Sequence, residues 1–204
     1  MKFKNLWIMG VVSVATAVVG CGSDKGSAGG QGGAAQAVNC TDAWQKYVAT
    51  HPAGKIEEYQ VDVKMRQDGR EMVIRSDREL QQVTESSSER VVTSVRTGGA
   101  TTSVTLTRVD FEKSCGKSVP GAPSGDAKLE VLERSRKTVT VPAGRFDCAY
   151  LKARMTLREG TALLETWIDG NAESGSLVKS ITEMNGEGGE SSSMVTVKEL
   201  VRRN

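Results

Sequence analysis

The sequence predicts a mainly β domain: a single antiparallel meander forming a curved sheet or half-barrel, with one short N-terminal helix packed on it. Three observations carry this. From residue 56 the apolar residues recur with a period of two. Tyr59, Val61, Val63 and Met65 alternate with Gln60, Asp62, Lys64 and Arg66, giving one dry face and one wet face. Strand-length runs of this kind are separated by turn chemistry at Asp68-Gly69, Gly98-Gly99, Pro142-Ala143-Gly144, Asp169-Gly170 and residues 186–189, and short links between strands mean hairpins. One stretch alone, residues 40–51, shows the i, i+3, i+4, i+7 recurrence of a helix, in Trp44, Tyr47, Val48 and His51.

In chain order, the first element is an export signal. Lys2 and Lys4 precede an uncharged run from Leu6 to Val19, about 14 residues, which is a signal-peptide length and short of the ~20 needed for a membrane-spanning helix. The run ends at Val18-Val19-Gly20-Cys21, with small residues ahead of a cysteine. This boundary resembles the bacterial lipobox. The resemblance implies that the Cys21 thiol carries a diacylglycerol, that the chain is cut before it, and that its new amino group receives a further acyl chain of the palmitate type. Two or three such chains anchor a protein stably. The organisation is then a signal peptide at 1–20, lipidated Cys21 with a tether over 21–39, and a β domain over 40–204. Gly22 at the position after the cysteine, where sorting to the inner membrane uses Asp, favours the outer over the inner membrane of a bacterial envelope.

Residues 22–39 hold Val38 as their one large apolar side chain, too little to fold on, and a coil of this length reaches on the order of 20–25 Å. The 27 basic residues less the two lysines of the signal leave 25 against 25 acidic. A neutral mature chain with interleaved charges removes the electrostatic case for nucleic acid.

Thr41 or Asp42 is the expected cap of the helix and Pro52 its stop. Strands are expected at 59–66, 71–76, 80–84, 90–96, 100–109, 128–133, 137–141, 146–157, 162–168, 176–184 and 193–202, with a long loop over 112–127. In 146–157 both parities are apolar, so this strand is expected to be covered on both sides, with the N-terminal helix as one candidate cover.

Two C-terminal stretches, Thr138-Val-Thr-Val-Pro-Ala-Gly-Arg-Phe-Asp-Cys148 and Leu164-Glu-Thr-Trp-Ile-Asp169 followed by Ser176-Leu-Val-Lys-Ser180, resemble a broad group of secreted bacterial proteins, many of them lipoproteins. That group resembles the half-barrel of periplasmic lipoprotein carriers. The resemblance implies a curved antiparallel sheet with a helix in or near its concave face. Asn171-Ala-Glu-Ser-Gly175 departs from the group's Val-Pro-Leu-Gly. Phe146 and Trp167 read as core or lid aromatics.

Catalytic chemistry finds few residues to work with. The sole histidine, His51, sits at a helix end before a proline, and reads as a capping or packed residue. No Gly-x-Ser-x-Gly elbow, Cys-x-x-Cys or His-x-x-x-His occurs. We therefore expect no enzyme, no metal and no cofactor. After Cys21, three cysteines remain in an exported chain, enough for one disulfide and one leftover thiol. Cys40 and Cys115, both at element ends, are the candidate pair, with Cys148 as a small buried apolar group; Cys115 with Cys148 is the alternative. Two functional readings follow. One is a membrane-anchored interaction or structural component that docks on an envelope protein. The other is a carrier-like module holding an acyl chain or other apolar ligand in its concave sheet.

Overall fold

The computed structural model describes residues 39–67, 70–114, 128–157, 160–169, 175–186 and 192–204. The signal segment, Cys21, the tether up to residue 38 and Cys115 lie outside them. Helix α1 (Cys40–Thr50) is capped by Asn39, whose Oδ1 accepts from the backbone N–H of Thr41 at 3.2 Å and of Asp42 at 3.3 Å. The cap therefore acts ahead of the expected Thr41 or Asp42, because a side chain outside the first turn can reach its orphan donors. His51 is the C-cap; its backbone N–H donates to the carbonyls of Tyr47 and Val48.

The strands follow as β1 (Ile56–Gln67), β2 (Arg70–Ser86), β3 (Arg90–Thr97), β4 (Ala100–Thr107), β5 (Lys128–Val141), β6 (Gly144–Leu157), β7 (Gly160–Asp169), β8 (Leu177–Gly186) and β9 (Ser192–Arg203), with helix α2 (Arg108–Ser114) after β4. Their order in the sheet is β4-β3-β2-β1-β9-β8-β7-β6-β5, all antiparallel among the described residues. The hairpins are as expected, but the path is two meanders. One runs outward from β1 to β4. The chain then restarts at the far edge and returns, laying β9 beside β1. Two expected pairs of strands are continuous: 71–76 with 80–84 in β2, and 128–133 with 137–141 in β5. Charged residues between them stay on the strand, where Arg75 pairs with Asp77 and Lys137 with Glu133. Each long strand carries a bulge instead of a break, between Val63 and Lys64 on the β1–β2 ladder and between Val131 and Glu133 on β5. Helix α2 replaces the end of the strand expected at 100–109 and the start of the expected loop.

The sheet curls. Ala143, in the β5–β6 turn, donates its N–H to the Leu200 carbonyl of β9 at 3.2 Å. Strands β9 and β6 are three positions apart, roughly 14 Å in a flat sheet. Only strong curvature lets them meet, and the half-barrel expectation holds in this form. The inside of the curl is filled by Tyr59, Val141, Cys148, Leu177, Val178 and Leu200. Phe146 and Trp167, expected as core or lid aromatics, are half-buried and pack against this cluster from outside its fully buried part.

Helix α1 covers a different place. Trp44 and Tyr47 pack with Val83 of β2, Val91 of β3 and Phe111 of α2. It does not cover β6. Both parities of that strand are buried as expected, Cys148 and Tyr150 on one and Leu151 and Ala153 on the other, with Cys148 inside the curl.

Candidate functional site

A cluster of buried charge lies where α1 meets the sheet. It is built by strand parity. Glu57 and Tyr59 are two apart on β1 and share a face. The β9 register puts Arg203 opposite Glu57 and Leu200 opposite Tyr59. The β2 register puts Gln81 opposite Glu57 and Glu79 opposite Tyr59. Lys55 enters just before β1, Asp169 ends β7, and Ser176 lies just before β8.

Arg203 is the hub. Its Nε donates to Glu57 Oε1 at 2.8 Å and its Nη1 to Asp169 Oδ2 at 2.8 Å. Lys55 Nζ stands 3.4 Å from Glu57 and donates to Ser176 Oγ. The Tyr59 hydroxyl shares its one proton between two acceptors, Glu57 Oε2 at 3.2 Å and the Leu177 carbonyl at 3.1 Å. On the other side of the Tyr59 ring sits Lys198, 4.4 Å from the ring centroid and bonded to Glu79 at 2.6 Å; Gln81 also donates to Glu79 at 2.6 Å. Lys55, Lys198 and Arg203 are thus matched by Glu57, Glu79 and Asp169. The sum is neutral, which makes tolerable the burial of Glu57, Glu79 and Lys198 with the partly exposed Lys55, Arg203 and Asp169 beside them.

The environment shows in the proton affinities. Burial alone would raise Glu57, but the charges of Lys55 and Arg203 outweigh it and hold the carboxyl below its ordinary range. Burial pushes Lys198 down, against the pull of Glu79. Burial likewise pushes Lys55 down, with Glu57 opposing. Tyr59 is pushed well up by burial and then by Glu57.

His51 closes the cluster from the helix side. It is buried, and its ring stacks on Tyr47 at 4.1 Å. Nδ1 lies 2.9 Å from the Tyr47 carbonyl, which only accepts, so Nδ1 carries the proton. Nε2 is buried with no hydrogen-bond partner among the described residues. Burial, with Lys55 second, lowers the imidazole to about 4. A neutral histidine therefore belongs to the folded state. Its stabilisation is complete above about pH 6.5 and is lost as pH falls from there to about 4, by up to about 3 kcal/mol. The loss attached to Glu57 begins only below its unfolded value of about 4.3. Urea melts between pH 7 and pH 4 should show this decline, and His51→Asn should flatten its upper part. An unchanged slope in the variant would remove His51 as the cause.

The residues singled out from sequence, and the acidic residues around the cluster, separate. His51 is the packed cap expected. Cys148 is free and fully buried, and burial pushes its thiol up to about 11, so it packs as a small apolar group. Cys40 is not a free thiol, while Cys115 falls outside the described residues. Glu57 and Glu58 point to opposite faces, Glu57 inward and Glu58 toward Arg78 and Arg202. Glu165 and Asp169 do not share a site: Glu165 accepts from the Tyr150 hydroxyl at 2.6 Å and pairs with Lys152, whereas Asp169 serves Arg203. Sequence reading missed the buried charges. Their signal is parity, since Glu57 falls in phase with Tyr59, and Lys198 with Leu200. Among the described residues no group of three metal-ligating side chains forms, and no helix is long and apolar enough to cross a membrane.

No protein family and no curated relative matches the chain. Similar solved structures include a protein described as exported, with a YmcC-like fold, from Bacteroides fragilis: 14% identity, 76% of this chain, 97% of that one, TM-score 0.41. Another, described as a lipoprotein, from Parabacteroides distasonis, gives 12% identity, 76% and 96% coverage and TM-score 0.39. A LolA superfamily protein from Nitrosomonas europaea gives 10% identity, 80% and 92% coverage and TM-score 0.19. At such low TM-scores these likenesses do not extend to the site, and the fold is read from strand order and register.

Proposed function

We propose that the protein is a non-enzymatic, lipid-anchored component of a bacterial envelope, outer membrane over inner, whose β domain serves as a rigid docking module for an envelope protein. The anchor is Cys21, and the Cys40–Cys115 disulfide ties the start of the domain to the segment after α2. The observation that carries the reading is the way α1 is held. Its apolar side is buried through Trp44 and Tyr47, the Trp44 indole N–H donates to the Ser88 carbonyl, Thr41 bonds Glu112 of α2, and its C-cap His51 is built into the charged cluster. A carrier needs a helix that leaves. This one is packed into one hydrophobic core and capped against the charged cluster, and the inside of the curl is occupied by the protein's own side chains, with Tyr59, Val178 and Leu200 fully buried.

Mass spectrometry of protein purified from membranes tests both halves. Under denaturing conditions the mature N-terminus should carry lipid mass on Cys21, lost in Cys21→Ser together with membrane partitioning. Under native conditions no further lipid should remain bound. Retained non-covalent lipid would turn the assignment to the carrier, and an unlipidated mature chain would remove the anchor.

A further inference from the structure

The outer edge of β2 between Arg70 and Asp77 has no strand beside it among the described residues. β3 joins β2 only from Glu79, opposite Thr97, to Ser86. The first half of this 17-residue strand therefore pairs on one side alone, with β1. Met72, Val73 and Ile74 stand there at 60, 53 and 45% exposure. Three successive exposed apolar residues on a bare edge form a template for another strand. Met72 and Val73 point to opposite faces, so a partner lying on one face cannot cover all three; a strand added along the edge can.

We propose that a second copy of this chain occupies this edge, antiparallel, about a two-fold axis between Val73 and Ile74. Charge and parity select the occupant. In this register Arg70 stands opposite Asp77, Glu71 opposite Ser76, Met72 opposite Arg75 and Val73 opposite Ile74, each pair occurring twice. The outermost pairs are of opposite charge and no like charges face. Centred on Ile74 instead, Arg70 would oppose Arg78 and Glu71 would oppose Asp77, two repulsions repeated by symmetry. Directly opposed residues of an antiparallel pair must share a face. An axis between two residues breaks that rule in a regular strand, but the bulge restores it. Met72 pairs with Met65 and Arg75 with Val63, so both lie on one face of β1; Arg70 with Gln67 and Asp77 with Val61 do the same. The β3–β4 turn stands beside Asp77 and is Gly98-Gly99, without side chains; a carbon added on Gly98 would lie 3.7 Å from the Asp77 carboxylate, an ordinary contact, so the second copy's Arg70 meets Asp77 at the end of this turn. Asp77, already held by Arg75 of its own strand, gains Arg70 of the second copy.

Light scattering and sedimentation velocity on the full chain in detergent provide the test. A concentration-dependent dimer in the micromolar range is expected. Arg70→Asp leaves the Arg75–Asp77 pair intact and faces two carboxylates across the axis, so dimerisation should weaken about tenfold. Asp77→Arg should do the same, and the double swap R70D/D77R should recover the wild-type constant to within about threefold. Circular dichroism confirms that each variant is folded. A chain monomeric across the micromolar range overturns the proposal, and so does a dimer that ignores both single changes or is not restored by the swap.

Discussion

Glu57→Gln will destabilise the folded domain by about 3–5 kcal/mol, the cost of leaving buried charge without its partner. Glu57 is 4% exposed and serves three groups at once: the Arg203 guanidinium, the Lys55 ammonium and the Tyr59 hydroxyl. The amide is neutral and presents two donors to a ring of donors. Its neighbour Glu58 supplies the control. It lies one residue away on the other face, against Arg78 at 3.6 Å and Arg202 at 3.1 Å. Glu58→Gln should cost at most about 1 kcal/mol, as for an ordinary surface pair. Urea melts of the two variants check the contrast, and equal losses would mean that the Glu57 cluster is not the buried unit described.

Trp44→Ala should cost about 3–5 kcal/mol, the range for truncating a large buried aromatic. The ring is 2% exposed, stacked on Tyr47 at 5.7 Å and tilted against Phe111 at 5.3 Å. Its loss removes the centre of the smaller core and the tie to Ser88 together. Trp167 offers the comparison. It is half-buried, leaning on Tyr150 at 4.9 Å with Lys179 over its ring, so Trp167→Ala should cost distinctly less. Thermal melts giving the reverse order would overturn the division of the interior into these two cores.

The legible part of this fold was local. Period-two alternation and turn residues marked most of the strands, and Trp44, Tyr47, Val48 and His51 marked α1. Joined strands were not legible, because Asp77-Arg78 and Arg134–Arg136 look like breaks in sequence while a solvated strand accommodates them. Helix α2 was hidden for a related reason: seven residues held by one packed ring, Phe111, carry no periodic signal. The place where α1 docks was misjudged too. Its apolar stripe showed that it must pack, but only the three-dimensional path of the strands puts Val83 and Val91 under the helix and Cys148 of β6 in the other cluster. The charged cluster depends on pairing strands far apart in sequence, Glu57 with Arg203 and Glu79 with Lys198, and no local pattern brings those together.

The central claim is that α1 is a fixed part of the domain and not a lid. Hydrogen exchange of its backbone amides, residues 44–50, measures this directly. If the helix opens only when the domain unfolds, those amides will show the same opening free energy and denaturant dependence as the amides of β1 and β9. Amides in α1 that exchange through a low-energy local opening, while β1 and β9 remain protected, would contradict the account and identify the helix as a movable cover.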